Sequence, residues 1–202
     1  MSRIAPPIPN RLDLPLADGK SLRVDFDRSQ DRWRHRIFLM LPEGSAAATT
    51  LLLFESLEGT SEEDWPASPP LQFVSIETRP TKPPVALLMG MAGGSHWSAS
   101  IEQHPAEQML RFDIACRAGG EPQQLGSRYR IASRVSVVQA SDELVEFTAA
   151  GLTFQMTGEP AKDSPLPALQ QIDQELRVHF GEPTSAQAQT YRWIYRLQAR
   201  PS

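Results

Sequence analysis

Apolar and polar residues alternate with a period of two along most of this chain, and the pattern is clearest between residues 85 and 117. Three antiparallel strands are predicted there. In residues 85–92 both parities are apolar, with Val85, Leu87, Met89 and Met91 on one side and Ala86, Leu88, Gly90 and Ala92 on the other. A strand with no polar face is normally covered on both sides, so this one is expected at the centre of a sheet. After Gly93-Gly94, residues 95–102 place Trp97, Ala99 and Ile101 on the apolar side. Residues 109–117 do the same with Leu110, Phe112, Ile114 and Cys116.

The opposite side of these two strands carries His96, Ser98, Ser100, Glu102, Arg111, Asp113 and Arg117. Opposed residues of an antiparallel pair share a face, so these side chains form one contiguous polar patch. Within it His96, Ser98, Ser100, Arg111 and Asp113 are the candidate ligand-binding residues. The parity also requires paired residue numbers to sum to an odd value. Ser100 then meets Asp113 or Arg111, and Glu102 meets Arg111 or Met109.

Elsewhere the same period predicts strands at 22–26, 34–41, 49–56 and 71–78, and one long strand over 128–139. A hairpin is expected around Ala150-Gly151, and a closing strand at 191–197 with Tyr191, Trp193, Tyr195 and Leu197 on one face. Residues 1–18 contain four prolines and read as an extended arm. Leu166, Leu169, Ile172 and Leu176 are spaced as on a helix, which predicts a short helix over 166–173 leading into a strand. The acidic, proline-rich stretch 57–70 is the largest irregular segment, and Trp65 within it is expected to fold back onto the core. About eleven strands separated by turn signals define an all-β protein, an antiparallel many-stranded β-sandwich with room for one or two short helices. Strands apolar on both faces point to large curved sheets, or to a terminal segment laid over an outer face. Residues 1–202 are read as one domain.

Composition narrows the picture. The chain has 202 residues, 40% of them hydrophobic and 22% charged, the balance of a soluble globular protein. A formal net charge of −4 argues against a nucleic-acid partner. No apolar run approaches the roughly 20 residues of a membrane-spanning helix. The single cysteine, Cys116, falls on an apolar face and reads as a buried hydrophobe. The N-terminal residues contain no apolar leader, so a cytoplasmic protein is expected.

No constellation specifies chemistry. His96, Ser98 and Asp113 are the residue types of a hydrolytic triad, but there is no Gly-x-Ser-x-Gly elbow and two of them lie along one strand. The four histidines, His35, His96, His104 and His179, show no metal-ligand spacing, so neither metal nor cofactor is expected. Asp25 with Asp27, and Glu55 with Glu58, are carboxylate pairs of the kind any β-rich chain offers. Arg34 and Arg36, Arg128 and Arg130, and Arg192 and Arg196 read as cross-strand ion pairs before they read as an anionic-ligand surface.

The leading expectation is therefore a non-enzymatic binding or assembly protein that contacts a glycan or a protein through a sheet face or a loop rim. The alternatives are a hydrolase of carbohydrates or esters using the His96, Ser98, Asp113 face, and a structural subunit of a homo-oligomer. A pocket holding His96 and a carboxylate favours the enzyme, a flat aromatic strip the glycan binder, and a large apolar patch the subunit.

Overall fold

Alternation of this kind is realised as fifteen strands in a computed structural model that describes residues 10–42, 44, 49–162, 164–181 and 189–200. The first five are β1 (Arg11–Pro15), β2 (Ser21–Ser29), β3 (Arg32–Met40), β4 (Thr50–Ser56) and β5 (Leu71–Arg79). They are followed by β6 (Lys82–Ala92), β7 (Ser95–His104), β8 (Met109–Arg117), β9 (Gly126–Ile131) and β10 (Ser136–Ala140). The last are β11 (Leu144–Ala149), β12 (Leu152–Glu159), β13 (Ala168–Ile172), β14 (Glu175–His179) and β15 (Thr190–Arg200). Two three-residue 3-10 turns, Ala17–Gly19 and Pro105–Glu107, are the sole helical elements among the described residues. None is long and apolar enough to cross a membrane.

Two antiparallel sheets result, and they do not close into a barrel. A seven-stranded sheet runs β1-β2-β3-β4-β9-β14-β13, and an eight-stranded sheet runs β10-β11-β12-β15-β8-β7-β6-β5. Their facing surfaces hold the core. Phe54 meets Phe147 edge-on at 4.7 Å between ring centroids, Phe180 meets Tyr191 at 5.3 Å, and Trp193 Nε1 donates to Ser127 Oγ at 3.2 Å. Trp65 folds back as expected and packs edge-on against Trp97, which in turn packs against Trp193.

The central hairpin has the parity expected from its pattern. Ser100 pairs with Asp113 and Glu102 with Arg111, both odd sums, while Trp97 is 3% exposed and His96 faces solvent. Trp97→Ala is therefore expected to cost about 3–5 kcal/mol, through lost burial and the cavity left behind. His96→Ala should leave stability within about 0.5 kcal/mol of the parent. Chemical denaturation of the two variants checks the contrast, and equal losses would contradict it.

Four features differ from the sequence-based expectation. β6 is not covered on both sides: Ala86 and Leu88 are buried, whereas Leu87, Met89 and Met91 stand in solvent. Residues 128–139 are not one strand. The chain leaves the seven-stranded sheet after Ile131 and enters the eight-stranded sheet at Ser136, and periodicity does not register a change of sheet. The segment 166–173 is not a helix but strand β13, turned into β14 at Asp173, whose φ of 51° is left-handed. Leu169 is buried there, while Leu166 and Ile172 are exposed, so the apparent helical stripe has no face to bury. Finally, part of the expected arm is strand β1, whose Leu12 and Leu14 enter the core beside β2. Residues 1–9 of the arm lie outside the described residues.

Candidate functional site

The five residues expected to bind a ligand share the outer face of the eight-stranded sheet, but they fall into two groups. Arg111 and Asp113 belong to an ion-pair canopy. Arg192 donates to both oxygens of Asp113, at 2.8 and 2.6 Å, and Arg111 reaches Glu159 at 3.0 Å and Asp113 at 3.3 Å. Burial alone would raise the Asp113 carboxyl; the hydrogen bonds and charges of Arg192 and Arg111 outweigh it and hold the group below the usual carboxylate range. Ile194 lies in register between Asp113 and Glu159, and is 2% exposed although it points outward. Asp113 is thus committed to arginine. Among the described residues no hydrogen bond joins His96, Ser98 and Asp113, and the triad does not assemble.

His96, Ser98 and Ser100 lie nearer the β5 side. Following the register across the sheet, Phe73 pairs with Met89, Met89 with Ser98, and Ser98 with Ala115. Two tall apolar side chains therefore stand beside two short ones, and the step between them is the wall of an open groove of ≈ 540 Å³. The next row contains Met91, His96, Arg117 and Thr190, which border the same groove. Phe73, Leu87, Met89 and Met91 are 53%, 39%, 56% and 49% exposed. They are four of the seven large apolar side chains standing exposed among the described residues. At the groove's edge a bulge displaces Gln72 from the ladder. Its side-chain amide replaces the lost backbone contacts, donating to Met91 O at 3.2 Å and accepting from Met91 N at 3.1 Å.

Between the sheets lies a polar cluster that the sequence reading missed. His35, inward on β3, shares a 2.8 Å hydrogen bond through Nε2 with the Tyr129 hydroxyl, which in turn lies 2.5 Å from that of Tyr195. The His35 backbone N–H donates to Ser56 Oγ at 2.9 Å, and Ser56 donates onward to Glu58 Oε1. Glu58 keeps part of its surface in solvent but turns its carboxyl inward, where Oε2 is buried without a hydrogen-bond partner. Burial pushes the Glu58 carboxyl up to about 7, against the Ser56 hydrogen bond and the charges of Arg32 and Arg34. Burial also brings His35 down to about 4 and raises Tyr195 to about 12. The adjoining cavity measures ≈ 20 Å³, room for about one water molecule and too little for a substrate. The inward parity of His35, Tyr129 and Tyr195 was readable strand by strand; their convergence was not.

The arginine pairs resolve as cross-strand neutralisation except at Arg196, which donates to Thr157 Oγ1 at 3.0 Å and has no acidic partner among the described residues. Arg34 bridges Asp27 at 2.5 Å and Glu55 at 2.6 Å, Arg130 reaches Glu55 at 3.2 Å, and Arg128 and Arg177 share Glu175. No group of three histidine, cysteine, aspartate or glutamate side chains among the described residues is placed to hold a metal ion. Cys116 is fully buried, and burial pushes its thiol up to about 12. In comparison with known proteins, the chain matches no family model and no curated protein sequence.

Proposed function

We propose that this is a non-enzymatic binding protein whose ligand surface is the outer face of the eight-stranded sheet, where β5, β6 and β7 meet. The observation that carries the reading is the gathering of Phe73, Leu87, Met89 and Met91 in solvent on one face. Isolated exposed apolar side chains are ordinary, whereas a contiguous group with a polar rim marks a contact surface. The groove includes His96 but no carboxylate, and Asp113 is held by two arginines, so the hydrolase reading has less support. Among the described residues Phe73 is the sole large exposed aromatic of the face, a poor platform for stacking a glycan. A structural subunit would bury the same four side chains against a second copy. A cytoplasmic setting is part of the proposal; the one cysteine, free and buried, requires no oxidising compartment.

Binding of the uncharged dye Nile red, together with light scattering, tests this. The parent protein is expected to be a monomer that enhances the dye's fluorescence, and Met89→Glu should remove most of the enhancement without lowering the melting temperature. A monomer that ignores the dye, or a Met89→Glu variant that binds it equally, would overturn the proposal. A parent dimer that Met89→Glu dissociates would transfer the face to the subunit reading.

A further inference from the structure

We infer that the ligand of this groove is a single-chain anionic amphiphile, an acyl carboxylate or its like, free in solution. The inference rests on the proposed binding face and adds what the face selects. Three observations lead to it. The groove's volume of ≈ 540 Å³ lies in the range of small-molecule sites. Its apolar wall is Phe73, Met89 and Met91, and thioether side chains adapt to a flexible chain without a fixed shape. Its ionisable lining consists of His96 and Arg117, with no carboxylate, although the whole protein carries a net charge of −4.

Arg117 is the discriminating residue. It is exposed, pairs in register with His96 on one side and Thr190 on the other, and has no acidic partner among the described residues. Its outward neighbour Arg192, by contrast, is bound to Asp113 through two hydrogen bonds. An unneutralised guanidinium at the end of an apolar groove accepts a carboxylate in a charge-assisted pair, with the chain lying along Met91, Met89 and Phe73. A cationic head would meet repulsion at the same place, and an uncharged head would leave the guanidinium with water alone.

Calorimetric titration with dodecanoate, dodecyl maltoside and dodecyltrimethylammonium, each below its micellar concentration, separates these cases. Dodecanoate is expected to bind about ten-fold more tightly than either other chain, the scale of one charge-assisted contact. Arg117→Gln, at an exposed position, should reduce that preference to within about two-fold, and Met89→Glu should abolish binding of all three chains. Equal affinities for the three heads would overturn the inference and leave the apolar binding face standing. Failure of all three chains, with Nile red still bound, would also overturn it. Failure of the chains and the dye together would remove the binding face itself. Binding to vesicles containing anionic phospholipid, without binding to dodecanoate, would assign the surface to a membrane and overturn the free ligand.

Discussion

A chain lacking residues 189–202 is expected not to fold. β15 is hydrogen-bonded on both sides, to β12 from Thr153↔Arg200 through Glu159↔Ile194 and to β8 from Thr190↔Arg117 through Gln198↔Met109. Its inward side chains, Tyr191, Trp193, Tyr195, Leu197 and Ala199, are all at most 4% exposed. Losing one such aromatic costs about 3–5 kcal/mol, and whole domains hold about 5–15 kcal/mol, so losing the entire strand exceeds the reserve. The truncated chain should show a disordered far-ultraviolet circular dichroism spectrum and no cooperative melting. A sigmoidal melt would show that β8 and β12 hold without the strand between them. Trp193→Ala, expected to lose about 3–5 kcal/mol while remaining folded, gives the graded version of the same test.

The second large effect lies in the cluster between the sheets. Glu58 has its folded pKa raised from 4.5 to about 7, so it contributes stability that is fully present below pH 4.5 and lost as pH rises through about 7. His35 has its folded pKa lowered from 6.5 to about 4, so its contribution is present above pH 6.5 and lost as pH falls through about 4. Between pH 4.5 and 6.5 the folded protein keeps a proton on Glu58 that the unfolded chain has released. Over the same interval it lacks one on His35 that the unfolded chain holds, and the two slopes cancel. Removing either group exposes the other. Relative to the parent, Glu58→Gln should gain about 1.4 kcal/mol per pH unit as pH rises from 4.5 to 7, in all about 3 kcal/mol. His35→Gln should show the opposite slope relative to the parent, gaining as pH falls from 6.5 to 4. Urea unfolding of the three proteins at half-unit pH steps measures both. Parallel curves for parent and Glu58→Gln would mean that the carboxyl titrates as if in water.

How much of this was legible in the chain depends on what alternation encodes. Period two assigns each residue of a strand to a face, and where one face is plainly polar it restricts the register to odd sums. The burial of Trp97 follows from that, whereas Ser100 is left opposite Asp113 or Arg111, and the structure selects Asp113. In β6 both faces are apolar, and the same pattern describes a strand covered twice and a strand with one face offered to a ligand. The pattern alone therefore predicts Leu87, Met89 and Met91 to be covered, whereas they stand in solvent. The pattern is equally silent on which sheet a strand joins, so 128–139 looked continuous although Ile131 and Ser136 belong to different layers. The buried cluster exposes a further limit. His35, Tyr129 and Tyr195 each sat on a correctly oriented face, but Tyr195 lies across the core from the other two. Glu58 comes from an irregular loop where no period applies.

The position of β15 has a consequence for how the protein is made. It is the last strand among the described residues and an interior member of its sheet, lying between β12 and β8. During synthesis β8 and β12 leave the ribosome with unsatisfied edges, and neither can close until residue 200 is clear of the exit tunnel. Sheet completion therefore waits for residues 190–200 and is dominated by contacts distant in sequence, the slow regime of folding. A nascent chain stalled before residue 190 would present two open strand edges, those of β8 and β12, to its neighbours.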